Sequence, residues 1–206
     1  LDLNRIMYNL QQICQSSFDK RVHIQVKPLA EPAVARADRS QLEQAILNVC
    51  INARDAMADG GKLTLAVELV EKGARNPRRE TPHDRAHFRI SVSDTGCGIE
   101  ATVLARVFEE FFTTKKRGSG LGLPMVYKIA DEHGGWVEVE SQVGVGTTFH
   151  IYLPKSTESL PLEDQIILAP GESRPMVTQA PERLPDLRGT GTILVVDDEP
   201  HMLRLT

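Results

Sequence analysis

The sequence predicts an α+β fold, a two-layer α/β sandwich in which a mixed sheet carries helices on one face. Three observations predict it. Residues 62–70 and 87–94 alternate apolar and polar side chains and are β-branched, as antiparallel partners are. Two further alternating stretches stand close together at 136–141 and 147–153. Helical spacing is confined to the segments between and before these strands, so the helices have a single sheet to cover.

The elements follow in order. Leu3, Ile6, Met7, Leu10 and Ile13 recur at helical spacing over 3–15. Residues 23–28 and 33–37 read as short strands around Glu31-Pro32. A long helix runs from about Ser40 to Ala58; Ser40 and Glu43 have capping-box spacing, and Gly60-Gly61 stop it. Residues 71–85 are polar, hold two prolines and make a mobile hairpin loop. A short helix is expected over Ala101–Glu110, then a Lys-, Arg- and Gly-rich loop over Thr113–Gly120. Leu123–His133 is a further helix with Pro124 in its first turn, where the missing N–H costs least.

After Pro154 the composition turns to Pro, Ser, Thr and Glu with little periodicity, which is a linker. Thr192–Val196 is then a sharp apolar strand ending in Asp197-Asp198-Glu199. The expected divisions are 1–17, a first helix or the exit of a preceding helical region; 18–155, the folded domain; 156–191, the linker; and 192–206, the start of another domain.

The chain's 206 residues, 41% hydrophobic and 25% charged, suffice to bury a core. A net charge of −4 and a pI near 5.9 count against nucleic acid as a partner. No apolar run reaches the ~20 residues that span a bilayer, so a cytoplasmic domain without direct membrane contact is expected. Cys14, Cys50 and Cys97 lack paired ligand spacing, which argues against structural zinc. Of the six histidines, none sits in a helical His-Glu or His-Asp context, and all read as surface or strand residues.

At about 100° per residue, Asn48, Asn52 and Asp55 fall within roughly 60° of one another on the long helix. Leu42, Ala45, Ile46, Val49, Ala53, Ala56 and Met57 form the apolar stripe beside them. Two amides between apolar flanks need partners, either neighbouring backbone or a hydrated magnesium with phosphates. Asp94-Thr95-Gly96-Cys97-Gly98 follows a strand; a carboxylate there accepts from an exocyclic amine while the glycines admit a ligand. Gly118-Ser119-Gly120-Leu121-Gly122-Leu123 precedes a helix, an arrangement that cradles phosphates.

In this order, N-x-x-x-N-A-x-D-A, D-T-G-x-G-I, F-x-x-F-F-T-T-K, G-x-G-L-G-L and G-x-G-T-x-F resemble the N, G1, F, G2 and G3 boxes of histidine kinases. These enzymes belong to the ATPase superfamily shared with gyrase, MutL and the heat-shock chaperone of ninety kilodaltons. The wording around Asn52 and Phe112 looks most like the nitrogen-regulation and PAS-linked hybrid kinases. The likeness implies ATP and Mg2+ as ligands. Asn52 should ligate magnesium with Asn48 assisting and Asp55 nearby. Asp94 should bind the adenine amine beside Thr147, and Gly96 and Gly98 should shape its pocket. Gly118, Gly120 and Gly122 should line the phosphates, with Thr114 and Leu121 adjacent and Lys115 as the lid cation. Phe108, Phe111 and Phe112 should anchor the lid by their rings.

The resemblance further implies phosphoryl transfer to a histidine on a dimerisation domain of the parent protein. Gyrase-like members carry a water-activating glutamate at the place of Asn48, and an amide cannot take that proton. Glu43 lies about 140° away around the helix and is a poor substitute. Hydrolysis should therefore be slow, whereas transfer to an imidazole needs mainly positioning and charge neutralisation. The strand at 192–196 with Asp197-Asp198 resembles the start of a receiver domain, which implies a response-regulator partner.

Overall fold

The structure, a computed structural model, describes residues 1–71, 85–115 and 118–156. Apart from residues 71, 85 and 156, the expected hairpin loop, the expected linker and the expected start of another domain at 192–206 lie outside the described residues. The elements in chain order are α1 (Leu3–Ser17), β1 (Val22–Lys27), α2 (Arg39–Ala56), β2 (Gly61–Val70), β3 (His87–Asp94), α3 (Ala101–Leu104), α4 (Gly122–Glu132), β4 (Trp136–Gln142) and β5 (Gly146–Pro154). The strands form one five-stranded sheet in the order β1-β2-β3-β5-β4. β1 runs parallel to β2, and every other pair is antiparallel. The α+β sandwich with a mixed sheet is therefore what forms.

Side chains alternate across a strand, and the alternation fixes which face meets the helices. Leu63, Leu65 and Val67 of β2, Phe88, Ile90 and Val92 of β3, and Phe149, Ile151 and Leu153 of β5 are buried in one cluster. α1 adds Leu3, Ile6, Met7 and Leu10, α2 adds Leu42, Ala45, Ile46 and Val49, and α4 adds Val126, Ile129 and Ala130. α1 is thus part of the same core. On the opposite face, Trp136 stacks on Tyr152 with ring centroids 4.3 Å apart. The indole N–H and the Tyr152 hydroxyl donate to the two carboxylate oxygens of Glu138, each at 3.0 Å.

Four local expectations need correction. Asp38, not Ser40, caps α2: its carboxylate accepts from the Gln41 amide at 2.9 Å, and its own N–H donates to Nε2 of His133 at 2.9 Å. Nδ1 of His133 is 2.7 Å from the Ile129 carbonyl. The imidazole therefore carries its proton on Nδ1 and ties the end of α4 to the start of α2. Residues 33–37 make isolated bridges, Asp2 with Val34 and Ala35 with Lys155, rather than a strand. The helix expected over 101–110 stops at Leu104, because Arg106, Glu109 and Phe112 each donate to the carbonyl three residues back, as in tight 3₁₀-like turns. On α1 it is Cys14, not Ile13, that completes the buried stripe.

Candidate functional site

One helical face, one strand end and one loop enclose a cleft of about 810 Å³. α2 supplies Asn48, Asn52 and Asp55, which share a face through their four- and three-residue spacings. The opposite face of α2 is held in the core by Leu42, Ile46 and Val49, so this polar strip has a fixed backbone. The Asn48 amide touches the sulfur of Met125 on α4 at 3.7 Å.

The second wall begins where β3 ends. Register pairs Asp94 with Thr147, bringing two sequence-distant polar residues side by side. Asp94 is only 9% exposed. Its Oδ1 accepts the Gly96 amide at 2.8 Å. Burial pushes the Asp94 carboxyl above the usual range, and the Gly96 and Thr147 backbone N–H groups pull it partly back. Thr147 hydrogen-bonds through its hydroxyl to Ser141 at 2.9 Å, and Ser141 also receives the Ile99 amide at 2.8 Å. Gly98 has φ +72, and a Cβ there would sit 2.2 Å from the Gln142 carbonyl oxygen. Only glycine lets this loop lie against the β4–β5 turn.

The third side is formed by residues 99–115 and 118–121, called the lid. The Phe108 ring packs near Tyr127 and Phe149, at 5.9 and 6.4 Å between centroids. The Phe112 ring lies under the Arg106 guanidinium at 4.1 Å and lines the cleft. Phe111 departs from expectation: its side chain is 71% exposed, so its ring anchors nothing. Its backbone is engaged instead, the N–H donating to the Gly120 carbonyl at 3.0 Å. Phe111 adopts φ 62, and a Cβ on Gly120 would come within 2.4 Å of the Phe111 carbonyl carbon, so only glycine at 120 lets the two backbones lie this close.

Lys115 crosses the cleft. Its ammonium donates to Asn52 Oδ1 and to Asp55 Oδ2, each at 2.7 Å. Asp55 Oδ1 in turn accepts from Arg54 at 2.7 Å. Burial alone would raise the Asp55 carboxyl, but hydrogen bonds from Lys115 and then Arg54 outweigh it and hold the group below the ordinary range. Among the described residues no cluster of three or more His, Cys, Asp or Glu side chains converges as a metal site.

Of the residues singled out in the sequence, Asn48, Asn52, Asp55, Asp94, Gly98, Thr114, Lys115, Gly118, Gly120, Gly122 and Thr147 all line the cleft. Gly96 and Leu121 do not. Gly96 packs against the last turn of α2, its missing Cβ leaving room for Ala56. Leu121 sits exposed at the N-cap of α4. Sequence reasoning missed the apolar floor made by Ile99, Val103, Val107 and Phe149. The four-residue spacing of Val103 and Val107 was the available signal.

A profile of the family described as histidine kinase-, DNA gyrase B- and HSP90-like ATPases matches residues 37–157. The sensor kinase CckA of Brucella abortus (strain 2308) is 36% identical over 203 residues, 97% of this chain and 21% of CckA. The sensor histidine kinase ZraS of Escherichia coli (strain K12) is 34% identical over 155 residues, 75% of this chain and 30% of ZraS. The chain thus spans less than a third of either relative's length. Among solved structures, the mycobacterial sensor histidine kinase MprB superposes with a TM-score of 0.62 at 26% identity, covering 75% of this chain and 95% of that one. Full-length ShkA in complex with AMPPNP gives 0.64 at 26% identity, covering 79% of this chain and 32% of that one.

Proposed function

Because this chain belongs to the histidine kinase-, DNA gyrase B- and HSP90-like ATPases, we propose that it is the ATP-binding catalytic domain of a sensor histidine kinase. In this reading it passes the γ-phosphoryl group of ATP to a histidine on a dimerisation helix of the parent protein. The observation that carries the proposal is the pairing of a buried carboxylate, Asp94, with an amide-bearing helical face across one cleft. Asp94 has one oxygen committed to the Gly96 amide. Its remaining acceptor capacity takes the exocyclic amine of adenine, with the Thr147 side of the sheet fixing the ring's edge. Ile99, Val103 and Phe149 offer the apolar surface against which the ring packs.

The phosphates then extend toward Asn48 and Asn52 on one side and Thr114, Gly118, Gly120 and Gly122 on the other. Asn52 Oδ1 and Asp55 Oδ2 already converge on one positive charge, the Lys115 ammonium, so their oxygens suit a magnesium ion. When bound, magnesium would neutralise phosphate charge and hold the phosphoryl group for attack. Asn48 lacks the basicity to draw a proton from water, so the domain holds ATP and leaves attack to an imported imidazole.

The finer reading is a hybrid kinase of the nitrogen-regulation or PAS-linked kind, cytoplasmic at this domain, with residues 156–191 as linker and 192–206 as the beginning of a receiver domain. Its support is the D-D-E sequence after an apolar run and the extent of the CckA likeness, which spans 97% of the chain. No helix among the described residues is long and apolar enough to cross a membrane. The test is radiolabel transfer from γ-labelled ATP. The chain alone should stay unlabelled, and a supplied histidine-bearing helix pair from its parent protein should become labelled in a magnesium-dependent way. Brisk phosphate release without that helix pair, or stable label on the chain itself, would overturn the reading.

A further inference from the structure

The polar contacts of the cleft are unequal in kind. Asp94 is held by backbone, whereas Asn52 and Asp55 are held by a side chain from the lid. Asp55 is 32% and Lys115 43% exposed, so packing does not lock this contact. Arg54 occupies Oδ1 of Asp55, which leaves Oδ2 and the Asn52 oxygen as the pair that faces a cation. Both oxygens stand 2.7 Å from one nitrogen. An ammonium is a compact point charge with three donors, and a small divalent metal prefers the same hard oxygens.

We propose that Asn52 Oδ1 and Asp55 Oδ2 form one cation seat with two alternative occupants: the Lys115 ammonium in the nucleotide-free protein and a divalent metal in the loaded one. Metal and nucleotide together expel Lys115, and Asp55 thereby becomes part of the metal's surroundings. An ammonium 2.7 Å from both oxygens stands where the metal would, and charge repulsion between the two opposes joint occupancy, so one leaves as the other enters. The Lys115–Asp55 ion pair also joins the lid to α2. Expulsion consequently frees the lid at the moment the phosphates arrive, and the departing ammonium is the nearest cation available to them. This inference rests on the nucleotide reading above and adds to it the identity of the competitor.

The test uses manganese(II) as the probe, titrated into the 206-residue chain without nucleotide and followed by the loss of the free-ion paramagnetic signal. Lys115→Met should tighten manganese binding by about tenfold or more, since one competing unit charge is removed a few ångströms away. Adding Asn52→Ala to that variant should abolish the gain, which separates this seat from the acidic pair at Asp197-Asp198. Lid amides over 109–115 should exchange hydrogen severalfold faster in Lys115→Met than in the unaltered chain. Unchanged or weaker manganese binding in a folded Lys115→Met overturns the exchange. Calorimetry with ATP distinguishes the two failures. If the unaltered chain binds ATP while manganese affinity ignores Lys115, the exchange alone falls; if it binds no ATP with or without metal, the nucleotide reading falls.

Discussion

Asp94 and Lys115 face the same cleft, yet the molecule holds them in opposite ways. Asp94 ends a central strand, its carboxylate fixed by a backbone amide and its register set by eight paired residues of β3 and β5. Lys115 stands on a loop, and its ammonium is held by polar groups that a ligand can replace. The same contrast separates two phenylalanines of the lid: Phe108 packs into the core edge, whereas Phe111 lies out in solvent with only its backbone engaged. One wall is built to recognise and stay; the other is built to let go. In the proposed reading, selectivity for the base would belong to the sheet and control of entry to the lid.

The largest expected effect falls on the fixed wall. Gly98→Ala places a Cβ 2.2 Å from the Gln142 carbonyl at φ +72. Denaturant unfolding should show a loss of about 3 kcal/mol. If the variant is as stable as the parent, the loop is looser than the contrast requires.

Asp94→Asn should weaken ATP binding by about 10- to 100-fold, the cost of replacing a charged acceptor. Stability should move the other way. The folded-state pKa of Asp94 is raised by burial, so the folded form binds the proton more tightly than the unfolded chain does. Its stabilising contribution is complete below the unfolded pKa and lost as pH rises through the folded one. At neutral pH the ionised carboxylate is a burden, and Asp94→Asn should melt at the same temperature or higher. ATP affinity of the unaltered chain should fall as acid titrates Asp94, at a higher pH than an ordinary aspartate. Calorimetry across the acid range checks both signs.

The two phenylalanines sharpen the comparison within the lid. Phe108→Ala should cost about 2 kcal/mol, and Phe111→Ala less than about 0.5 kcal/mol. Phe111→Gly should stabilise by about 1 kcal/mol, because φ 62 strains a side-chain-bearing residue. Equal costs for the two alanine variants in thermal melts would erase the distinction.

Smallest of all is Gly122→Ala at the start of α4. No atom lies within 4 Å of its added Cβ. Stability should rise by a few tenths to about 1 kcal/mol, while ATP binding weakens severalfold because the methyl enters the phosphate side. Unaltered affinity would take Gly122 out of the phosphate cradle.

The fold was largely legible because its strands alternate cleanly and its longest helix carries a wide apolar stripe. Asn48, Asn52 and Asp55 could be placed together from helical spacing alone. Asp94 and Thr147, 53 positions apart, could not be joined by spacing; only the resemblance put them together, and strand register is what does so physically. The caps and lid were read less well. Asp38 displaced Ser40 because its carboxylate caps the Gln41 amide, a local spacing that competed with Ser40 and Glu43; the support it also gets from His133, 95 residues away, had no local trace. Residues 105–112 kept helical composition but took tight turns, and the Phe108 ring rather than local propensity is what meets the core there. The Lys115 contacts with Asn52 and Asp55 span 63 and 60 positions and rest on charge rather than period, so no pattern announced them.

The parallel pairing of β1 with β2 has a consequence for the order of assembly. β4 and β5 are joined by a tight turn and meet through contacts near in sequence. β1 meets β2 only after α2, the whole length of it, has been laid down between them. Contacts that close long loops form late. The helix that carries Asn48, Asn52 and Asp55 is therefore also the crossover whose placement completes the sheet's outer edge. A chain caught before that step would hold both antiparallel partners of Asp94 in register and still lack the face that carries Asn48, Asn52 and Asp55.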